Sequence, residues 1–435
     1  MKAELQHIGR HAVTVLAGQL AVMAFGTTDT IVASRYSKDL TADIFQALLP
    51  LWSEQRGAGQ PQAIGYSLRQ SMYLCLLACA LGMSVLMMPD ALLRWTDVPP
   101  EMQQEVKRYL YVLAWALPPS LLFRIYSALN QALGHPKLVT WLQVVSLLIK
   151  IPLSIWFTFG GLGLNPMGAV GCALATLVVN YTMFGVALWL VRHQDLYAPL
   201  ALWTRMERPD TAMLARFCKL GIPAGLAILV EVTSFTLMAL YVARQGSLSS
   251  ASHQIAANLA AIAYMFPLSL AIAASARVSY WRGAGDEAQA RQLIFQCFRL
   301  SALMGFAVAA TLFIARKLIV DIYTDSPQVM AMGSWLLICV AAYHVADSVQ
   351  TYCIFVLRSY RITVAPLIIY SVLLWGGGLG LGYALAYVWQ APASWHDWQA
   401  TPMPFWVCST GALFVTALAF SAILFKVIRP ASEQA

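Results

Sequence analysis

The chain has 435 residues, 59% of them hydrophobic and 11% charged, against about 25% charged in an ordinary soluble protein. That much apolar sequence exceeds what a soluble core absorbs and places the chain in a membrane. The net charge of +8 is dispersed among short connecting segments, which excludes a nucleic-acid-binding stripe, while the eight cysteines form no CxxC pair and the seven histidines no metal-ligand spacing, which excludes a redox motif and a zinc site.

The start, "MKAELQHIGR", is polar, and no small-residue cleavage site follows the first apolar segment. It reads as retained sequence rather than a cleavable signal. A helix needs about 20 mostly apolar residues to cross the hydrocarbon. Segments of that kind run over 11–33, 71–89, 109–130, 138–160, 167–191, 220–243, 251–275, 298–320, 331–357, 364–389 and 404–428, which is eleven. Between the first two lies "VASRYSKDLTADIFQALLPLWSEQRGAG" (Val32–Gly59), whose one apolar run, Ile44–Trp52, is too short to span unaided. Counting it as a twelfth crossing, with both termini in the cytoplasm, puts roughly twice as many Lys and Arg inside as outside. Omitting it inverts every later loop and reverses that bias.

Two tetrads mark an internal repeat. Arg56–Gly59 and Arg282–Gly285 both read RGAG, each ahead of a new span, 226 positions apart. "SALNQALGHP" (Ser127–Pro136) and "IFVLRSYRIT" (Ile354–Thr363) form a looser second echo. The expectation is an all-α integral membrane protein of two six-helix repeats, residues 1–200 and 201–435. The repeat also measures a shortfall. Ala243 to Arg282 is 39 positions and Ala33 to Arg56 is 23, so the second helix lacks 16 residues, about 24 Å of helix. Its crossing is then made by a helix recruited from Ser37 onward, carrying Lys38, Asp39 and Asp43 upward, or by a half-helix over Asp43–Ser53. Either route leaves a hole or thin wall on the outer side of the N-terminal half.

Ionisable groups inside a membrane are costly and mark function by default. Three acids qualify: Glu231 in "GLAILVEVTSFTLMAL", Asp347 in "CVAAYHVADSVQTYCIF" and Asp29 in "AFGTTDTIVAS". The plain alternative for Asp29 is solvation at the membrane edge. For Glu231 and Asp347 it is structural pairing with Arg124 or Lys150, two cations that otherwise read as snorkelling side chains. On a helix Glu231 shares a face with Ser234, Phe235 and Met238, and Asp347 with Tyr343, Gln350 and Thr351. Carboxylates, hydroxyls, an amide and aromatic faces suit H⁺, Na⁺ or a lipophilic organic cation. A carboxylate in low dielectric holds its proton more tightly, so these ligands compete for one negative site. The aromatics and Met238 also fit ordinary helix packing. Pro119, Pro152, Pro223, Pro267 and Pro366 lie in or beside spans and read either as helix breaks of a transporter or as ordinary membrane prolines.

Taken together, "TTDTIVAS", the two RGAG loops, "GIPAGLAILVEVTSF" (Gly221–Phe235), "SASHQIAAN" (Ser250–Asn258) and "VADSVQ" followed by "LRSYR" resemble the multidrug and toxic compound extrusion (MATE) family of NorM type, over nearly the whole chain. The resemblance implies twelve helices in two lobes around a central cleft. It implies export of drugs and organic cations in exchange for Na⁺ or H⁺, with no cofactor beyond the coupling ion and no enzymatic activity. Glu231 and Asp347 would take the cation-coupling role, holding Na⁺ if that is the ion, and Asp29 the acid role of the N-terminal lobe. Tyr343, Gln350, Phe235 and Met238 would line the substrate cleft. The partners would be small organic cations and membrane lipid, with no nucleic acid, and the location the inner (plasma) membrane. The shortened second helix departs from the family pattern and leaves open a protein that inserts without pumping. A related lipid-linked or polysaccharide flippase should place more basic residues centrally, whereas here the central groups are mostly acidic. An intramembrane hydrolase lacks GxGD and HExxH.

Overall fold

The structure, a computed structural model, describes residues 2–30, 45–90, 100–161, 163–390 and 392–429. The described residues are almost wholly helical and contain no strand beyond one isolated bridge, Gly161–Leu164. The helices are α1 (Lys2–Thr30), α2 (Leu49–Gly57), α3 (Pro61–Met87), α4 (Pro100–Ala132), α5 (Pro136–Phe159), α6 (Gly168–His193), α7 (Thr211–Ala243), α8 (Ser247–Gly283), α9 (Glu287–Tyr323), α10 (Pro327–Ser359), α11 (Val364–Val388) and α12 (Met403–Val427). Ten of them, α3 to α12, are long and apolar enough to cross a membrane. α1 has 29 residues, a length of about 44 Å. Each of the eleven segments read from the sequence coincides with a helix over nearly all of its described residues, and most helices run further: the segment at 251–275 lies within the 37 residues of α8. Apolar composition measures the hydrocarbon thickness, not where a helix stops.

Stops and starts are set by local chemistry. Pro61, Pro136 and Pro327 open their helices, where the missing N–H costs nothing and φ is already fixed. The RGAG tetrads end theirs. Gly59 and Gly285 have φ of +68° and +82°, and the next amides reach back five residues, Gln60 N–H to the Gln55 carbonyl and Asp286 N–H to the Trp281 carbonyl, both at 3.0 Å. That is one helix-closing turn built twice, and it requires the left-handed residue glycine provides. The looser echo repeats it at Gly134 and Arg361, with φ of +76° and +62° and return bonds from His135 to Asn130 and from Ile362 to Leu357. The arginines join the two turns of each half. Arg56 donates to the Ala132 carbonyl at 3.2 Å, and Arg282 donates to the Ser359 carbonyl. The cation thus sits at the C-terminal end of α4 and of α10, where carbonyls lack helical partners.

Interior prolines do not break their helices. Pro118 and Pro119 lie inside α4, Pro152 inside α5, Pro223 inside α7 and Pro267 inside α8, each helix continuing on both sides. Two stretches of α11, Ser371–Gly380 and Ala384–Val388, are instead wound as π-helix.

The chain divides into two compact units. One holds the first half of α1, α7 from Pro223 onward and α8 to α12. The other holds the second half of α1, α2 to α6, α7 as far as Ile222, and Gly283–Gly285 from the end of α8 and the turn after it. In the second unit α2 and the residues just before it are enclosed: Phe45 and Trp52 are fully buried, Leu48 and Leu49 nearly so. The Trp52 indole donates to Ser67 at 2.9 Å and Gln46 donates to Gln131 at 3.2 Å. The short run therefore sits against protein, where a helix need not be apolar on every side. Residues 31–44, which carry Ser37, Lys38, Asp39 and Asp43, lie outside the described residues, as do the route recruited from Ser37 and the expected thin wall; of the half-helix over Asp43–Ser53, residues 45–53 are described, helical except for a turn at Ala47 and Leu48.

The segment between α6 and α7 is clamped to α3. The Arg69 guanidinium forks onto Glu207, with Nε 2.9 Å from Oε2, and also donates to the Ala201 carbonyl at 2.7 Å. Tyr66 donates to Asp210 at 3.2 Å, Tyr73 to the Glu207 carbonyl at 2.7 Å and Gln70 to the Arg208 carbonyl at 3.0 Å. These four side chains follow at i, i+3, i+4 and i+7, one face of the helix. The Arg69 guanidinium holds the Glu207 carboxyl at about 2, below its ordinary 4.5. A depressed carboxylate stabilises the fold above its unfolded pKa and loses that contribution as the pH falls through the folded value. Melting curves of the purified protein should therefore show this clamp weakening between pH 4.5 and 2, and Glu207→Gln should lower Tm at pH 7 while flattening that acid dependence.

Candidate functional site

Asp347 lies midway along α10, 2% exposed. A buried carboxylate must be supplied with donors, and this one is. Gln350 Nε2 donates to Asp347 Oδ1 at 2.8 Å, and Thr351 Oγ1 approaches the same oxygen at 3.5 Å. Gln350 is oriented in turn by Tyr370 of α11, whose hydroxyl donates to Gln350 Oε1. That bond fixes which end of the amide faces Asp347. On the other side His344 Nδ1 stands 3.8 Å from Asp347 Oδ2, and Ser348 lies 3.4 Å from His344 Nε2. The face read from the sequence is real, and Gln350 and Thr351 are bonding partners of the acid.

Glu231 is half-buried on α7. Tyr343 and Tyr370 each stand within electrostatic reach of Glu231, Asp347 and Tyr264. α7, α8, α10 and α11 thus bring two acids and three phenols into one neighbourhood. Phe235 and Tyr343 meet edge to face, ring centroids 5.9 Å apart, and Trp406 of α12 packs on both at 6.2 and 6.1 Å. The Trp406 indole donates to His253 Nδ1 at 3.2 Å. Phe235, Met238 and Tyr343 line a cavity of about 20 Å³ with Ser234 and Ser409. That volume admits about one water and no drug-sized molecule, so a substrate here requires the helices to part. Gln350 does not line it; this residue belongs to the hydrogen-bonded shell of Asp347.

Asp29 lies in the last turn of α1, but its side chain is outside the described ones. Lys150 corrects an expectation. It is fully buried rather than snorkelling, because Ser146, Lys150 and Ser154 repeat at i, i+4 and i+8 and form the inward stripe of α5, all three buried. Arg124 is half-buried. The cysteines are free thiols, six of the eight buried, as small core residues should be. Among the described residues no three His, Cys, Asp or Glu side chains converge as a metal site. The oxygens around Asp347 are nevertheless hard donors of the kind that suit Na⁺ or a proton.

Sequence reasoning missed His344, Tyr370 and Trp406. His344 had a signal, three residues before Asp347 on the same helical face. Tyr370 and Trp406 had none, since only packing brings α11 and α12 to this point.

The MatE family model matches residues 12–156 and 223–384. "Probable multidrug resistance protein NorM" of Aromatoleum aromaticum is 32% identical, covering 96% of this chain and 93% of that relative. "Multidrug resistance protein MdtK" of Yersinia pseudotuberculosis is 30% identical, covering 95% and 92%. Among solved structures, the eukaryotic MATE transporter AtDTX14 matches with a TM-score of 0.82 at 18% identity, over 97% of this chain and 96% of that one. The Vibrio cholerae MATE transporter VcmN in its bent form matches with a TM-score of 0.83 at 14% identity, over 98% of each.

Proposed function

Since the chain belongs to the MatE family, we propose that it is a multidrug efflux antiporter of the inner membrane, with both termini cytoplasmic, exporting organic cations in exchange for H⁺ or Na⁺. The observation that carries this reading is Asp347: a carboxylate 2% exposed in a membrane helix, furnished with donors and set among aromatic rings. A charge so placed is costly and is retained because it exchanges ligands. In this reading Asp347 and Glu231 hold the coupling ion, Thr351 and Gln350 orient Asp347, and Phe235, Tyr343 and Met238 receive the apolar part of the substrate. Binding of the inward-moving ion lowers the negative charge the drug cation needs, so the two exclude each other. Asp29 serves the other unit in the same way. The work is transport, and no bond in the substrate changes.

The shortfall of 16 residues before Arg56 favours a second reading, a protein that inserts but does not pump. One assay separates the two. Efflux of ethidium and norfloxacin is measured in membrane vesicles under a Na⁺ or an H⁺ gradient, for the native chain and for a version with a 16-residue helical insert near Asp43. The antiporter reading expects the native chain to pump under one gradient. Pumping by the insert version alone selects the second reading, and failure of both under either gradient overturns the first.

A further inference from the structure

A groove of about 250 Å³ runs along α5 and α6, lined by Leu138, Trp141, Val145 and Ile149 on one wall and by Val186 and Leu190 on the other, among others. It lies wholly in the second unit, remote in sequence from Glu231 and Asp347. Two hydroxyls line it, Ser146 and Thr182. Each donates to a carbonyl of its own helix, Ser146 to Gln143 at 2.7 Å and Thr182 to Val178 at 2.8 Å. The walls therefore offer an occupant apolar contact alone. The volume falls below the range of about 300–1,000 Å³ usual for drug-sized ligands. From Leu138 to Ile149 the groove follows 11 residues of helix, about 16 Å, which is the depth of one leaflet of a hydrocarbon core about 30 Å thick.

Its mouth is cationic. Lys137 is the second residue of α5, and Arg192 and His193 are the last two of α6. All three are exposed. Lys137 precedes Trp141 by four residues, and His193 follows Leu190 by three and Val186 by seven, so both stand on the helix faces that form the walls. His193 lies against Trp189 with ring centroids 5.0 Å apart, and the Arg192 guanidinium lies 5.5 Å from the Trp203 ring. One acid, Asp195, follows this cluster. Exposed tryptophans beside Lys and Arg at helix ends are the mark of the membrane interface.

We propose that this groove is a binding site for an anionic phospholipid of the surrounding bilayer, one acyl chain lying along α5 and α6 and the phosphate held by Lys137, Arg192 and His193. Charge and depth select the occupant. A zwitterionic lipid offers the same phosphate but brings its own ammonium to the cationic mouth and gains less there, and an organic cation is repelled by it. The site is independent of the transport reading and stands if that reading fails.

The test is native mass spectrometry of the full-length protein in detergent, titrated with phosphatidylglycerol or phosphatidylcholine of the same acyl chains. Phosphatidylglycerol should remain bound at the lower concentration. Replacing Lys137, Arg192 and His193 by Gln should weaken it, by about fivefold for each fixed cation, and weaken phosphatidylcholine by less, because its ammonium offsets the charge of its phosphate. Filling the groove by Val186→Trp, or from the opposite wall by Val145→Trp, should remove both lipids. Equal retention of the two lipids by the native protein overturns the proposal, as does undiminished lipid on both groove-filled variants. So does displacement of the lipid by ethidium, which would make the groove an organic-cation site.

Discussion

Vesicles carrying Asp347→Asn should export ethidium no faster than vesicles without the protein, while the purified variant melts at or above the native temperature. Asn keeps the shape of Asp and can still accept from Gln350, so the neighbourhood of 2.8 and 3.5 Å contacts persists. What disappears is the exchangeable negative charge. Removing a buried charge whose partners are neutral relieves desolvation, which makes the stability change small or favourable. Transport and stability therefore move apart, and a purely structural role for Asp347 predicts the reverse: a lower Tm with efflux in proportion to folded protein. Glu231→Gln should behave in the same direction, with the double variant no worse than the more severe single one, as expected of groups serving one site. Full efflux by the double variant would remove both acids from the coupling role.

Gly65→Val should be the most damaging single change in the clamp between α3 and the segment before α7. A Cβ on Gly65 would stand 1.7 Å from the Leu200 carbonyl oxygen and 2.9 Å from its carbon. The obstruction is backbone, which cannot rotate away. The segment must lift, and the bonds from Tyr66, Arg69, Gln70 and Tyr73 are lost together. Overpacking of this kind costs about 1–3 kcal/mol, and the loss of the clamp adds to it. The readouts are a lower Tm in detergent and faster tryptic cleavage at Arg205, which is exposed. A methyl on Gly185 would meet no heavy atom within 4 Å, so Gly185→Ala is the control that should change neither. An unaltered cleavage rate in Gly65→Val would show that the segment is held by something other than this face.

Composition alone placed the chain in a membrane, because a chain with 11% charged residues has no other solvent for its surface. The RGAG repeat was legible for a local reason: a helix-closing turn needs its left-handed residue at a fixed place, and that need is written in consecutive positions. The same holds for the shared faces of Glu231 and of Asp347, which follow from helical period. Helix ends were less legible, since the spans report hydrocarbon thickness and helices such as α8 continue beyond it. What only the tertiary structure decided is whatever depends on a second helix. Lys150 is buried because α5 turns the face it shares with Ser146 and Ser154 inward, and the helical period alone does not say which way a face is turned. Tyr370 orients Gln350 from another helix, and Trp406 joins Phe235 and Tyr343 from a third. A single helix fixes which residues share its face; which face meets which is settled by close packing among all of them.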